Sequence, residues 1–115
     1  MDRSENVPPR VLRLYEAPDN DAYFSAASAW EIAVRYAIKR LGLAHPPERF
    51  VPDQREAHGI LSLAIDEASA LHMSRLPILH RDPFDRLLVG HAIVHGLTIF
   101  TPDPLIAQYP ARVIW

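Results

Sequence analysis

Apolar and polar positions change period repeatedly along this chain, marking short strands set between longer helices. Asn6, followed by Pro8 and Pro9, can start a short helix through Val11, Leu12 and Tyr15, and Pro18 with Asp19-Asn20-Asp21 then makes a turn. Ala22 to Phe24 reads as a brief buried strand. Ser25 or Ser28 can cap a long helix, in which Trp30, Ala33, Val34, Ala37, Ile38 and Leu41 recur at the helical period, and Gly42 is expected to end it.

HPPERF opens a second helical stretch expected to reach His58, with Gly59 as its stop, ahead of a strand-like run from Ile60 to Ile65. Asp66 stands where an N-cap belongs, with Ala68, Leu71, Met73 and Leu76 behind it and Pro77 closing the helix. Pro83 suits a first helical position. Phe84, Leu87, Leu88, Ala92 and Ile93 carry that helix on to Gly96, and the strand-like run Leu97 to Phe100 follows. Pro104 starts one more short helix, and Ala111 to Trp115 reads as a last strand.

Short apolar strands alternating with helices predict an α/β fold with a mainly parallel sheet flanked by helices. Such sheets bind ligands beyond the carboxyl ends of their strands. Asp103 directly follows the strand at 97–100, and Glu31 lies in the first turns of the helix after the strand at 22–24, so both acids are expected on that edge.

Composition narrows the function classes. With 115 residues, 49% hydrophobic and 23% charged, the chain reads as one globular domain over 1–115. A net charge of -2 requires any nucleic-acid contact to come from a local patch. There is no cysteine, hence no disulfide, thiolate site or cysteine nucleophile, and cytoplasm is the expected compartment. The start MDRSENVPPR is not a signal peptide, and no run reaches the roughly 20 apolar residues that a membrane span needs.

The chemistry concentrates in HRDPFDRLLV and TPDP. Asp85 sits on a helix face otherwise suited to packing, where a carboxylate needs a partner. Asp82 and Asp85 also suit a positive helix N-terminus, Asp103 suits a turn or cap, and Glu31 can pair with Arg35 at i,i+4. Several acids on one sheet edge repel one another unless a cation joins them, and hard oxygen donors of this kind suit Mg²⁺ or Mn²⁺. Arg81 and Arg86 flank the acids, and Arg35, Lys39 and Arg40 form a stripe; either group can hold a phosphate backbone. His91 and His95 have the spacing of a helical metal pair, but no HExxH motif surrounds them and zinc is disfavoured; His45, His58, His72 and His80 read as surface or loop residues.

Taken together, SAASAWEIAVRYAIKRLGL, HRDPFDRLLVGHAIVHGLTIFTPDP and the ending VIW resemble the PIN-domain family, specifically VapC-type toxins of toxin–antitoxin pairs. The resemblance runs from about Val7 to Trp115. It implies a PIN-like three-layer fold and an endoribonuclease dependent on Mg²⁺ or Mn²⁺. Glu31, Asp85 and Asp103 map onto the family's catalytic, metal-binding acids, with Thr101 as the site hydroxyl and Asp82 as an accessory acid. It further implies an RNA substrate, for which Arg81, Arg86 and Arg35 are the contacts, a VapB-like antitoxin and a homodimer.

One departure stands out. Family members begin with an apolar strand of the LLLDTH type, which lies mid-sheet and supplies the first metal-binding aspartate. Nothing before Val7 resembles it, and Asp2 precedes no strand. The chain therefore reads as N-terminally truncated. It is then a shortened toxin, an inactive PIN-fold copy that binds an antitoxin or a second PIN subunit, or a form completed by strand exchange.

Overall fold

The computed structural model describes residues 7–115. In chain order the elements are α1 (Pro9–Glu16), β1 (Tyr23–Ser25), α2 (Ala26–Ala37), α3 (Pro47–Ala57), β2 (Leu61–Leu63), α4 (Glu67–His72), α5 (Pro83–His95), β3 (Ile99–Phe100), α6 (Pro104–Ala107) and β4 (Val113–Ile114). The expected alternation of helices and short strands is present. Asn6, read as the start of the first helix, lies outside the described residues.

Proline and side-chain caps set most helix starts. Ser25 accepts from the amide of Ala27 at the head of α2, and Asp66 accepts from Ser69 at the head of α4. Pro83 fills the first turn of α5, where its missing N–H costs nothing.

Three helices end in the same way. After α3 and α5, Gly59 and Gly96 adopt left-handed φ of 64° and 66°, and the next amides, of Ile60 and Leu97, reach back to the carbonyls of Arg55 and Ala92. After α2 the left-handed position falls on Lys39, φ 61°, with Arg40 N–H bonded to the Arg35 carbonyl at 2.8 Å. The helix thus stops before Gly42, contrary to the sequence expectation. The expected helix after Asp66 also stops early: α4 ends at His72 and continues as a 3₁₀ turn over Met73–Arg75.

β1 pairs parallel with β2, Tyr23 opposite Leu61 and Ser25 opposite Leu63; β3 pairs parallel with β4, Ile99 opposite Val113. Among the described residues these are two separate two-stranded sheets. Between them lies a cavity of about 520 Å³ whose wall includes Phe24 and Ser25 of β1 and Ile99 and Phe100 of β3. A second cavity of about 450 Å³, lined by Val11, Ile32, Phe50 and Trp115 among others, shares Tyr15, Phe24 and Phe100 with the first. The sheet is parallel, as expected, but split down its middle.

The core gathers on α5: Leu76, Val89, Ala92, Ile99, Ile106 and Tyr109 are all buried in one cluster. α2 contributes less than its apolar stripe suggests. Ala27 is fully buried, whereas Trp30 is 50% and Ile38 60% exposed. The closest approach is between α4 and α5, at Gly90, where a Cβ would meet the Ser69 carbonyl oxygen at 3.1 Å. A branched side chain there must push the two helices apart. Gly90→Val is therefore expected to cost about 1–3 kcal/mol, as overpacking does, read as a lower urea midpoint at unchanged slope. An unshifted midpoint would show that the α4–α5 contact is softer than this spacing implies.

Candidate acidic site

The start of α5 builds the site. Asp82 is its N-cap, with Oδ1 accepting from the amides of Phe84 and Asp85 at 2.9 and 3.1 Å. The capping role considered for Asp82 from sequence is thus present. One turn on, Asp85 points back over the loop, and its Oδ2 lies 3.2 Å from Nε2 of His80. Both side chains are largely buried, 12% exposed for His80 and 19% for Asp85.

Behind His80 stands a chain of polar groups. His80 Nδ1 is 2.6 Å from the Tyr109 hydroxyl, and Arg86 donates to that same hydroxyl at 3.2 Å. With its oxygen accepting from Arg86, the Tyr109 hydroxyl is free to donate its proton to Nδ1, which assigns the imidazole proton to Nε2, facing Asp85. Arg86 also donates to the carbonyls of Pro77 and Met73. Its guanidinium ties the loop before α5 to the core through three of its five donors.

Burial pushes the Asp85 carboxyl above its ordinary range, the His80 hydrogen bond pulls it down, and the charges of Asp82 and Glu31 push it further up. Glu31 therefore shares the electrostatic neighbourhood of Asp85. Its helix is held against α5 by the edge-on pair of Trp30 and Phe84, ring centroids 4.5 Å apart. Glu31 Oε2 is bound by Arg35, at 2.7 Å from Nη2 and 2.9 Å from Nε. The i,i+4 pairing weighed from sequence is thus also formed.

Asp103 caps α6, accepting from the Leu105 amide at 2.9 Å, and its own amide donates to the Thr101 hydroxyl at 3.2 Å. It follows β3 directly, as expected, yet it is absent from the charges that act on Asp85. The carboxylates of Glu31, Asp85 and Asp103 are not all within 4.8 Å of one another. Arg81 is exposed beside the loop.

His80 and Tyr109 went unrecognised in the sequence. The pairing of His80 with Asp85 spans an irregular loop, and Tyr109 is supplied from 29 residues away. Neither spacing follows a secondary-structure period that a pattern could reveal.

The donor chemistry, though not a gathered geometry, suits a hard divalent ion: no three of Glu31, Asp82, Asp85 and Asp103 have ligand atoms all within 4.8 Å of one another. Asp82 Oδ2, Asp85 Oδ1 and Glu31 Oε1 have no hydrogen-bond partner among the described residues, while the other oxygen of each acid is engaged. Carboxylate oxygens of this kind are the usual ligands of Mg²⁺ and Mn²⁺.

A profile described as "PIN domain" matches residues 3–111. Ribonuclease VapC16 of Mycobacterium tuberculosis (strain ATCC 25618 / H37Rv) is 40% identical over 53 residues, which make up 46% of this chain and 38% of that protein. The chain therefore spans well under two thirds of that relative's length. Among the described residues no helix is long and apolar enough to cross a membrane.

Proposed function

The chain belongs to the PIN domain family, and from that premise we propose that it is a VapC-like endoribonuclease, the toxin of a toxin–antitoxin pair acting in the cytoplasm. All 115 residues form one PIN-like domain in this reading. Glu31, Asp85 and Asp103 would hold Mg²⁺ or Mn²⁺, with Asp82 and Thr101 as accessory groups. The observation that carries it is the crowding at Asp85: its carboxyl is pushed up by burial and by Asp82 and Glu31. Such crowding is what a divalent cation relieves.

When bound, the ion lowers the pKa of its water and neutralises charge growing on a phosphodiester. The chain's own residues do the rest. Asp82 and the amides it caps fix the first turn of α5, on which Asp85 stands. His80, held by Tyr109, fixes the Oδ2 of Asp85. Arg81, exposed beside the loop, and Arg86, through its remaining donors, are the basic side chains that would take an RNA phosphate. Arg35 is engaged by Glu31 through Nε and Nη2 and keeps its other donors for RNA.

Mn²⁺-dependent cleavage of structured RNA by the purified chain tests this reading. Cleavage that EDTA stops supports it; absence of both cleavage and Mn²⁺ binding would remove the catalytic half. A second reading has its own support. The split between β1 and β3 suits a catalytically inactive PIN-fold protein that binds an antitoxin or a second PIN subunit, by strand exchange in the latter case. The exposed Trp30 and Ile38 suit either partner, and a VapB-like antitoxin and a homodimer are proposed for both readings.

A further inference from the structure

Away from the acids, at the other end of α5, three side chains from two elements converge. Asp66, His91 and His95 each offer one donor atom, all within 4.8 Å of one another. His91 and His95 stand one turn apart, with ring centroids 5.1 Å apart, and Asp66 reaches them from the head of α4.

His91 supplies the independent sign that something is wanted here. It is 1% exposed, and its Nε2 is buried without a hydrogen-bond partner among the described residues. A buried polar nitrogen left unpaired is costly and calls for an explanation. Its Nδ1 lies 2.8 Å from the Ser25 hydroxyl, which fixes the ring. Ligating histidines are oriented in this way by a partner on the nitrogen that does not bind the metal. With Nδ1 held by Ser25, Nε2 is the nitrogen left for the cluster.

We propose that Asp66, His91 Nε2 and His95 form a second metal site, distinct from the acidic site, for a borderline transition ion of the Zn²⁺ class. Two imidazoles and one carboxylate select Zn²⁺ over Mg²⁺, which prefers oxygen ligands throughout. Three protein ligands leave the fourth tetrahedral position to water.

The protonation states suit binding. Hydrogen bonds from Ser69 and then His95 hold the Asp66 carboxyl down at about 2, so it is ionised. Burial and the neighbouring His95 lower the pKa of His91. His95 Nε2 already lies 3.2 Å from Asp66 Oδ1. Both are partly exposed, 34% and 47%, and can shift to close the remaining distance to His91. The ion would join the head of α4 to the tail of α5 and restrain the connection that leaves β2.

The test titrates Zn²⁺ into the tag-free, EDTA-treated chain and follows melting temperature, with Co²⁺ absorption as the reporter of tetrahedral geometry. A rise in melting temperature and a tetrahedral Co²⁺ band are expected in the wild type. Both should be lost in His95→Ala, which removes an exposed ligand and spares the buried ring, and weakened in Asp66→Asn, which keeps the N-cap. Asp85→Asn should leave both unchanged, separating this site from the acidic one. No Zn²⁺ response in the wild type, or a response that His95→Ala retains, overturns the proposal.

Discussion

Asp85→Asn is expected to lower Mn²⁺-dependent RNA cleavage by about 100-fold or more while raising the melting temperature near neutral pH. A metal ion contributes several kcal/mol of charge stabilisation in phosphoryl chemistry, and each 1.36 kcal/mol is tenfold in rate, so weakening its hold removes roughly two powers of ten. The stability change has the opposite sign because the site is assembled against the preference of Asp85. Its carboxyl is pushed up, first by burial, with Asp82 and Glu31 adding to it. A raised carboxyl makes the native state bind more protons than the unfolded chain. Stability therefore falls as pH rises through a window that opens at the ordinary value of 3.8 and closes at the raised one.

Asparagine carries no charge and can still accept the proton of His80 Nε2 through its amide oxygen. Its advantage should be full above that window and absent below it. Urea unfolding of both proteins near neutrality and in acid measures this directly. A variant less stable than wild type at neutral pH would mean that the His80–Asp85 pair is net stabilising, and that Asp85 is a structural ion-pair member.

This conflict between fold and site explains what could be read from the sequence. Helix starts were legible where one local rule decided them: Ser25, Asp66, Asp82 with Pro83, and Asp103 with Pro104 all cap as expected. The stops at Gly59 and Gly96 were legible because glycine adopts a left-handed φ without strain. The stop at Lys39 was not, since nothing local marks a lysine for that conformation.

Asp103 was legible as the acid that directly follows β3. The partners of Asp85 were not: His80 and Tyr109 meet only after α6 has folded back, in a contact between elements remote in sequence. Nor could periodicity reveal that the stripe of α2 would stay exposed at Trp30 and Ile38. A helical period identifies a face without identifying what covers it.

Supplying an extended apolar strand that ends in aspartate, fused ahead of Val7, is expected to raise the melting temperature by on the order of 10 °C and RNA cleavage by about 100-fold. The gap is shaped for a strand on three counts. β1 and β3 each bond one neighbour, so each has an unpaired edge among the described residues. Ser25 and Ile99, on those two strands, both line the 520 Å³ cavity. The second cavity, of 450 Å³, shares Phe24 and Phe100 with the first, so open space adjoins both strands. A strand sends alternate side chains to opposite faces, and a strand inside a parallel sheet buries both.

Four such side chains contribute roughly 1.5–3 kcal/mol each on burial, against about 1–2 kcal/mol of backbone entropy for each ordered residue. Ladder hydrogen bonds on both edges add to the balance, leaving a net gain of a few kcal/mol; at about 4–8 °C per kcal/mol this gives the expected shift. The activity gain has a separate source, the aspartate at the carboxyl end of the strand, which would add a further carboxylate to the proposed metal ligands. A fusion ending in asparagine separates the two effects: it should keep the thermal gain and lose the catalytic one. If the aspartate fusion melts no higher than the parent, the space between β1 and β3 is not a strand site. If it melts higher but cuts no faster, the second reading gains: the scaffold accepts a strand, and its role is to bind one.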